Sequence, residues 1–178
     1  TTTNVTIPIG NITNVFGGGN QAVSTNTNIT VTGGTIGTIY GGGNEATVDE
    51  NTNVNLANAT ITNNIYGGGN EGMVKGNTNV LLNSITINGS AYAGGNGSTA
   101  VVNGNTTITA EGNTVIGTTT SVAPSSGCLF GSGNAAATGS LSGMWDNAVI
   151  NELDSWSKSL DNALPVYKSK DYNNSNFL

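Results

Sequence analysis

Two glutamates, Glu45 and Glu71, each close a Tyr-Gly-Gly-Gly-Asn-Glu block, and they are the residues of this chain best placed to do chemistry. If the blocks stack, the two carboxylates fall on neighbouring rungs. There they could imitate the acid pair of a glycosidase or, with Asp49 and Glu50, gather a cation. Little else can act as a general base or an activated nucleophile. The chain has no histidine, no arginine, one cysteine (Cys128) and four lysines, Lys75, Lys158, Lys168 and Lys170. The glycine run also brings phosphate to mind, but a phosphate loop needs a following helix, and a P-loop needs Gly-Lys-Ser/Thr. Calcium-binding nonapeptide repeats place an Asp in each turn where this block has Asn, and neutral amides make poor calcium cages. Recurrence itself argues against catalysis, because these residues return whenever the unit returns, whereas a catalytic site is usually a local departure from a repeat. No catalytic residue, no cofactor and no metal site is expected.

The elements that position these residues follow from the repeat. Aromatic-glycine blocks stand at "VFGGGNQA" (15 to 22), "IYGGGNEA" (39 to 46), "IYGGGNEG" (65 to 72), "AYAGGNGS" (91 to 98) and "LFGSGNAA" (129 to 136). Their aromatics are Phe16, Tyr40, Tyr66, Tyr92 and Phe130, spaced 24, 26, 26 and 38 apart, and their asparagines are Asn20, Asn44, Asn70, Asn96 and Asn134. A second block precedes each later one: "NTNITV" from Asn26, "NTNVNL" from Asn51, "NTNVLL" from Asn77 and "NTTITA" from Asn105. The last unit carries about ten extra residues around "TTTSVAPSSG", which read as a loop.

A unit of about 25 residues made of short β-favouring runs cannot bury its apolar face alone and must stack on copies of itself. The expected fold is all-β: a parallel β-solenoid of about five coils over residues 1 to 139. Each coil would have strands near "NTNVNL", "ATITNNIY" and, briefly, "EGMV", with glycines at corners that need positive φ. Alternation assigns faces. Thr27, Ile29 and Val31 point inward, as do Thr52, Val54 and Leu56, then Thr78, Val80 and Leu82. The opposite face is an uncharged array of Asn and Thr, interrupted by Leu81. Each aromatic follows an apolar residue (Val15, Ile39, Ile65, Ala91, Leu129), so either the rings form an exposed or half-exposed ladder, the expectation preferred here, or a bend at the glycines turns them in. The asparagines of the glycine block are expected to hydrogen-bond rung to rung.

Residues 140 to 178 differ in composition, with both tryptophans, five of the ten acids and three of the four lysines. Trp145, Val149, Leu153, Trp156 and Leu160 recur at helical spacing, and Pro165 follows, so an amphipathic helix over 144 to 163 and an extended tail are expected. That helix would cap the column or dock onto another subunit, whereas the opening "TTTNVTIP" reads as a mature or trimmed start whose first coil presents an open edge.

The motif NTN-V-x-[LV] followed by [IV]-Y-G-G-G-N resembles the Gly-, Asn- and Thr-rich β-solenoid repeats of microbial cell-surface proteins, including adhesin-like families, over about residues 2 to 139. The resemblance implies an extracellular, structural or adhesive setting and transfers no individual functional residue. Eight Asn-x-Ser/Thr sites agree with that setting. The expected function is a non-enzymatic, self-assembling subunit of a surface fibre, sheath or coat, with other copies of the chain as partner. The alternatives are an adhesin that binds cell-surface glycans through the aromatic ladder and the Asn/Thr face, and an ice-binding protein. Ice binding fits in part only, because the regular threonine column is assigned inward. Nucleic acid is excluded by a net charge of -6 without a basic cluster, and no apolar run is long enough to span a membrane.

Overall fold

The computed structural model of the chain describes residues 1–118 and 127–138, which form an all-β parallel solenoid of about four turns. The helix expected over 144 to 163, the tail after it and most of the inserted loop lie outside the described residues. In chain order the strands are β1 (Thr3–Ile7), β2 (Asn11–Phe16), β3 (Thr27–Val31), β4 (Thr35–Tyr40), β5 (Thr52–Ala57), β6 (Thr60–Ile61) and β7 (Ile65–Tyr66). They continue as β8 (Thr78–Asn83), β9 (Thr86–Ile87), β10 (Ala91–Tyr92), β11 (Thr106–Glu111), β12 (Val115–Ile116) and β13 (Leu129–Phe130).

The first sheet runs β1-β3-β5-β8-β11, one strand per rung, and equivalent residues pair from Thr3 through Thr27, Thr52 and Thr78 to Thr106. The second sheet pairs β2 with β4, and β4 with both β6 and β7. It divides because Gly37 and Thr38 separate Ile36 from Ile39, whereas Thr62, Asn63 and Asn64 separate the paired Ile61 and Ile65. One extra residue cannot be held in a continuous ladder, so the strand breaks there. The third side is narrower than the expected strand near "EGMV". It consists of single bridges linking Ser24, Val48, Val74, Val102 and Thr138.

Side chains of both sheets meet in one apolar column of Ile29, Ile36, Val54, Leu56, Ile61 and Leu82 and their neighbours, all buried, with Val48, Val74 and Val102 as a smaller one behind the third side. The inward threonines are also buried, and they are not passive. Oγ1 of Thr27 donates to the carbonyl of Gly41 at 2.6 Å, Thr52 to Gly67 at 2.6 Å and Thr78 to Ala93 at 2.5 Å. Thr3 and Thr106 do the same to Gly17 and Gly131. None of the described backbone hydrogen bonds uses the carbonyls of Gly41, Gly67 or Ala93. The threonine hydroxyl therefore satisfies an acceptor that burial would otherwise leave unpaired.

The role of the block glycines differs from the expectation of positive φ. Positive φ does fall on glycines elsewhere, among them Gly34 (φ 92), Gly112 (φ 62) and Gly117 (φ 89), and on Asn58 (φ 51) and Ser84 (φ 53) where the chain leaves the first sheet, but Gly41 and Gly67 are not among the left-handed residues. Their constraint is close approach: a Cβ on Gly17 would overlap the carbonyl oxygen of Gly41, and one on Gly41 that of Gly67. These are the same carbonyls that the threonines bind.

Thr52→Val keeps the shape of the side chain and removes the donor. It is expected to lower stability by about 1–3 kcal/mol in guanidinium unfolding, the cost of an unpaired buried acceptor. Thr107→Val, on the exposed face of the same sheet, is expected to stay within about 0.5 kcal/mol of the parent.

Candidate functional site

The aromatic residue lies immediately before the residue whose carbonyl is tied to threonine, a glycine in every unit but the fourth, where it is Ala93, so every ring leaves the chain at the same corner. Phe16 stacks on Tyr40 with centroids 4.8 Å apart, Tyr40 on Tyr66 at 5.1 Å, Tyr66 on Tyr92 at 5.0 Å and Tyr92 on Phe130 at 4.7 Å. All four pairs lie within 11° of parallel. The rung spacing of a parallel sheet sets this separation. The expectation of an exposed ladder is corrected for the inner rings: Tyr66 is 4% and Tyr92 8% exposed, while Phe16, Tyr40 and Phe130 are half-buried. Strict alternation fails here because the chain turns at the glycines, so Ile65 and Tyr66 are both buried although they are adjacent.

The faces of the inner rings cover one another. A pyranose packs on an aromatic face, and Tyr40, Tyr66 and Tyr92 have none to offer. Burial raises the Tyr40 hydroxyl above its ordinary range. Burial raises Tyr66 too, against a smaller lowering by the hydrogen bond that Asn64 Nδ2 donates to its hydroxyl at 3.1 Å.

Beyond the glycines, the block asparagines form an unbroken amide ladder. Asn44 Nδ2 donates to Asn20 Oδ1 at 2.8 Å, Asn70 to Asn44 at 3.0 Å, Asn96 to Asn70 at 2.8 Å and Asn134 to Asn96 at 2.9 Å. A second ladder runs along the outer face of the first sheet through Asn4, Asn28, Asn53 and Asn79, with bonds of 2.9, 3.0 and 3.2 Å. A third column was not foreseen. The Oδ1 atoms of Asn26, Asn51 and Asn77 accept the backbone N–H of the next rung's Asn51, Asn77 and Asn105. The only signal for it was the fixed Asn at the head of every "NTN" block.

The acids are dispersed among separate partners. Gln21 Nε2 donates to Glu45 at 3.3 Å, Asn26 Nδ2 to Glu50 at 2.6 Å, and Lys75 pairs with Asp49 at 2.7 Å on the surface. Among the described residues no three of His, Cys, Asp or Glu come together as a metal would require. Comparison with family models, with characterised proteins and with solved structures gives no match to this chain. Architecture and local chemistry therefore carry the functional reading.

Tyr40 and Tyr66 give a pH test. An unfolded chain loses these phenolic protons near pH 10, and the folded chain only at higher pH, so the unfolded state is favoured as pH climbs from about 10. Thermal or denaturant unfolding should show stability falling across that window. Tyr40→Phe with Tyr66→Phe should make the fall shallower without changing the neutral-pH spectrum of the fold.

Proposed function

We propose that this chain is a non-enzymatic structural protein: a subunit of an extracellular fibre, sheath or coat that assembles from copies of itself. The observation that carries the reading is the saturation of the repeat. The residues that make the sequence distinctive turn their ring faces and amides onto the neighbouring rung and their hydroxyls onto a carbonyl of their own turn, which favours a stiff, charge-poor column over a chemically available surface. Such stacking of identical side chains is how cross-β assemblies gain resistance to denaturation and proteolysis.

Equivalent strands of the first sheet pair in register from one rung to the next, so the repeat is its own template for a further rung of the same kind. On the turn of β1, Ile9 is 79% and Val23 57% exposed. The resemblance to microbial surface repeats supports placing the assembly outside the cell. An adhesin built on aromatic faces is disfavoured because those faces are covered. Ice binding is disfavoured because the outward asparagines of the first sheet bond to one another.

Negative-stain microscopy and sedimentation of the full chain near neutral pH test this. Filaments or sheets are expected from the parent. Discrete particles are expected from Ile9→Lys with Val23→Lys, two exposed changes that leave the core intact. A parent that stays monomeric at high concentration would refute self-assembly.

A further inference from the structure

The outer face of the second sheet carries one place where the ladders stop. Thr13, Gly37 and Thr62 each follow the in-register residues Ile12, Ile36 and Ile61 on three neighbouring rungs, and the middle position has no side chain. The strand break that follows, at Thr62 and Asn63, falls beside it. The result is an open groove of about 290 Å³ on three successive rungs, lined also by Asn11, Ile12 and Thr35. Gly37 is fixed there by the backbone, because a Cβ would overlap the carbonyl oxygen of Thr13. The notch is therefore held open by packing between rungs and does not depend on a side-chain rotamer.

Its polar groups differ in state from those of the ladders. The outward asparagines of the first sheet bond one another. In the groove the side chains of Asn11, Thr13, Thr35 and Thr62 are exposed and make no hydrogen bond to the described protein, and Asn63 makes only a long one, 3.4 Å to Thr38 Oγ1. These hydroxyls and amides both donate and accept. No charged side chain lines the groove, so nothing in it selects a phosphate, a carboxylate or a metal ion.

We propose that this groove binds a sugar unit of a neutral glycan. The volume lies at the small end of ligand sites, and the open shape lets a longer chain pass on either side. Sugar hydroxyls would replace the water that now satisfies the threonines and asparagines, a near-balanced exchange that gives weak, roughly millimolar binding per site. Rung-by-rung assembly would repeat the site along a fibre and raise its avidity. The proposal itself does not depend on assembly, and it places glycan contact away from the aromatic ladder.

Saturation-transfer difference NMR tests it on the full chain, since the signal is read from the ligand and survives whether or not the protein polymerises. The probes are maltotriose, cellotriose and the N-acetylglucosamine trimer, with the galacturonic acid trimer as charged comparison. At least one neutral trimer is expected to show saturable transfer. That binding should weaken about tenfold in Thr35→Val with Thr62→Val and stay unchanged in the outward variant Thr107→Val and in Tyr40→Phe with Tyr66→Phe. No transfer to any neutral trimer, preference for the charged trimer, or equal binding by the threonine double variant would overturn the proposal.

Discussion

The bond from a buried threonine hydroxyl to the carbonyl at the glycine corner is the constraint on which the rest of each turn depends. It ties the start of the first sheet to the end of the second within one turn, across a section too narrow for another layer of side chains. Because the carbonyl is turned toward the threonine, it also lies where the preceding rung's Cβ would stand, and that position is glycine in three of the four units that precede the last. A residue before the glycine is delivered to the corner and stacks on its counterparts. A residue after the run is delivered to the next corner, where its amide meets another amide.

This geometry separates two meanings of repetition. Tyrosine, asparagine and glycine at fixed intervals resemble a row of binding sites, yet each recurs because its counterpart on the adjacent rung is its partner. Identical partners at the strand spacing consume ring faces and amide groups and leave the surface poor in free functional chemistry. Chemistry open to a ligand is then expected where the repeat is imperfect. The extra residue between Ile61 and Ile65 and the glycine at position 37 are such imperfections, and the groove lies between them.

Much of the fold was legible because a strand with one buried face has a period of two. Thr27, Ile29 and Val31 alternate with Asn28 and Thr30 as that period requires, and the structure buries the first set. The asparagine ladder followed from identical residues at identical corners. The aromatic rings did not follow, since alternation has no meaning where the chain turns, and Tyr66 is buried beside a buried Ile65. Nor did the purpose of the glycines: composition shows that a side chain is missing, but only the facing rung shows that a carbonyl takes its place. The irregular spacing of the aromatics was visible as a number, while its consequence, a broken strand and a notch, depended on where pairing absorbed the extra residue. The carboxylates of Asp49, Glu45 and Glu50 could be placed near one another by repeat position, yet each found a different neighbour, Lys75, Gln21 and Asn26.

The central claim, that the repeated side chains are engaged with their own counterparts, is tested most directly by hydrogen exchange of the asparagine side-chain amides measured by NMR. The account predicts that the Nδ2 protons of Asn44, Asn70 and Asn96 donated to the neighbouring rung exchange far more slowly than those of the exposed Asn11 and Asn55, and that protection persists until the fold is lost. Exchange as fast as that of Asn11 and Asn55 would mean that the ladder amides are open to solvent and to ligands, and would contradict the account.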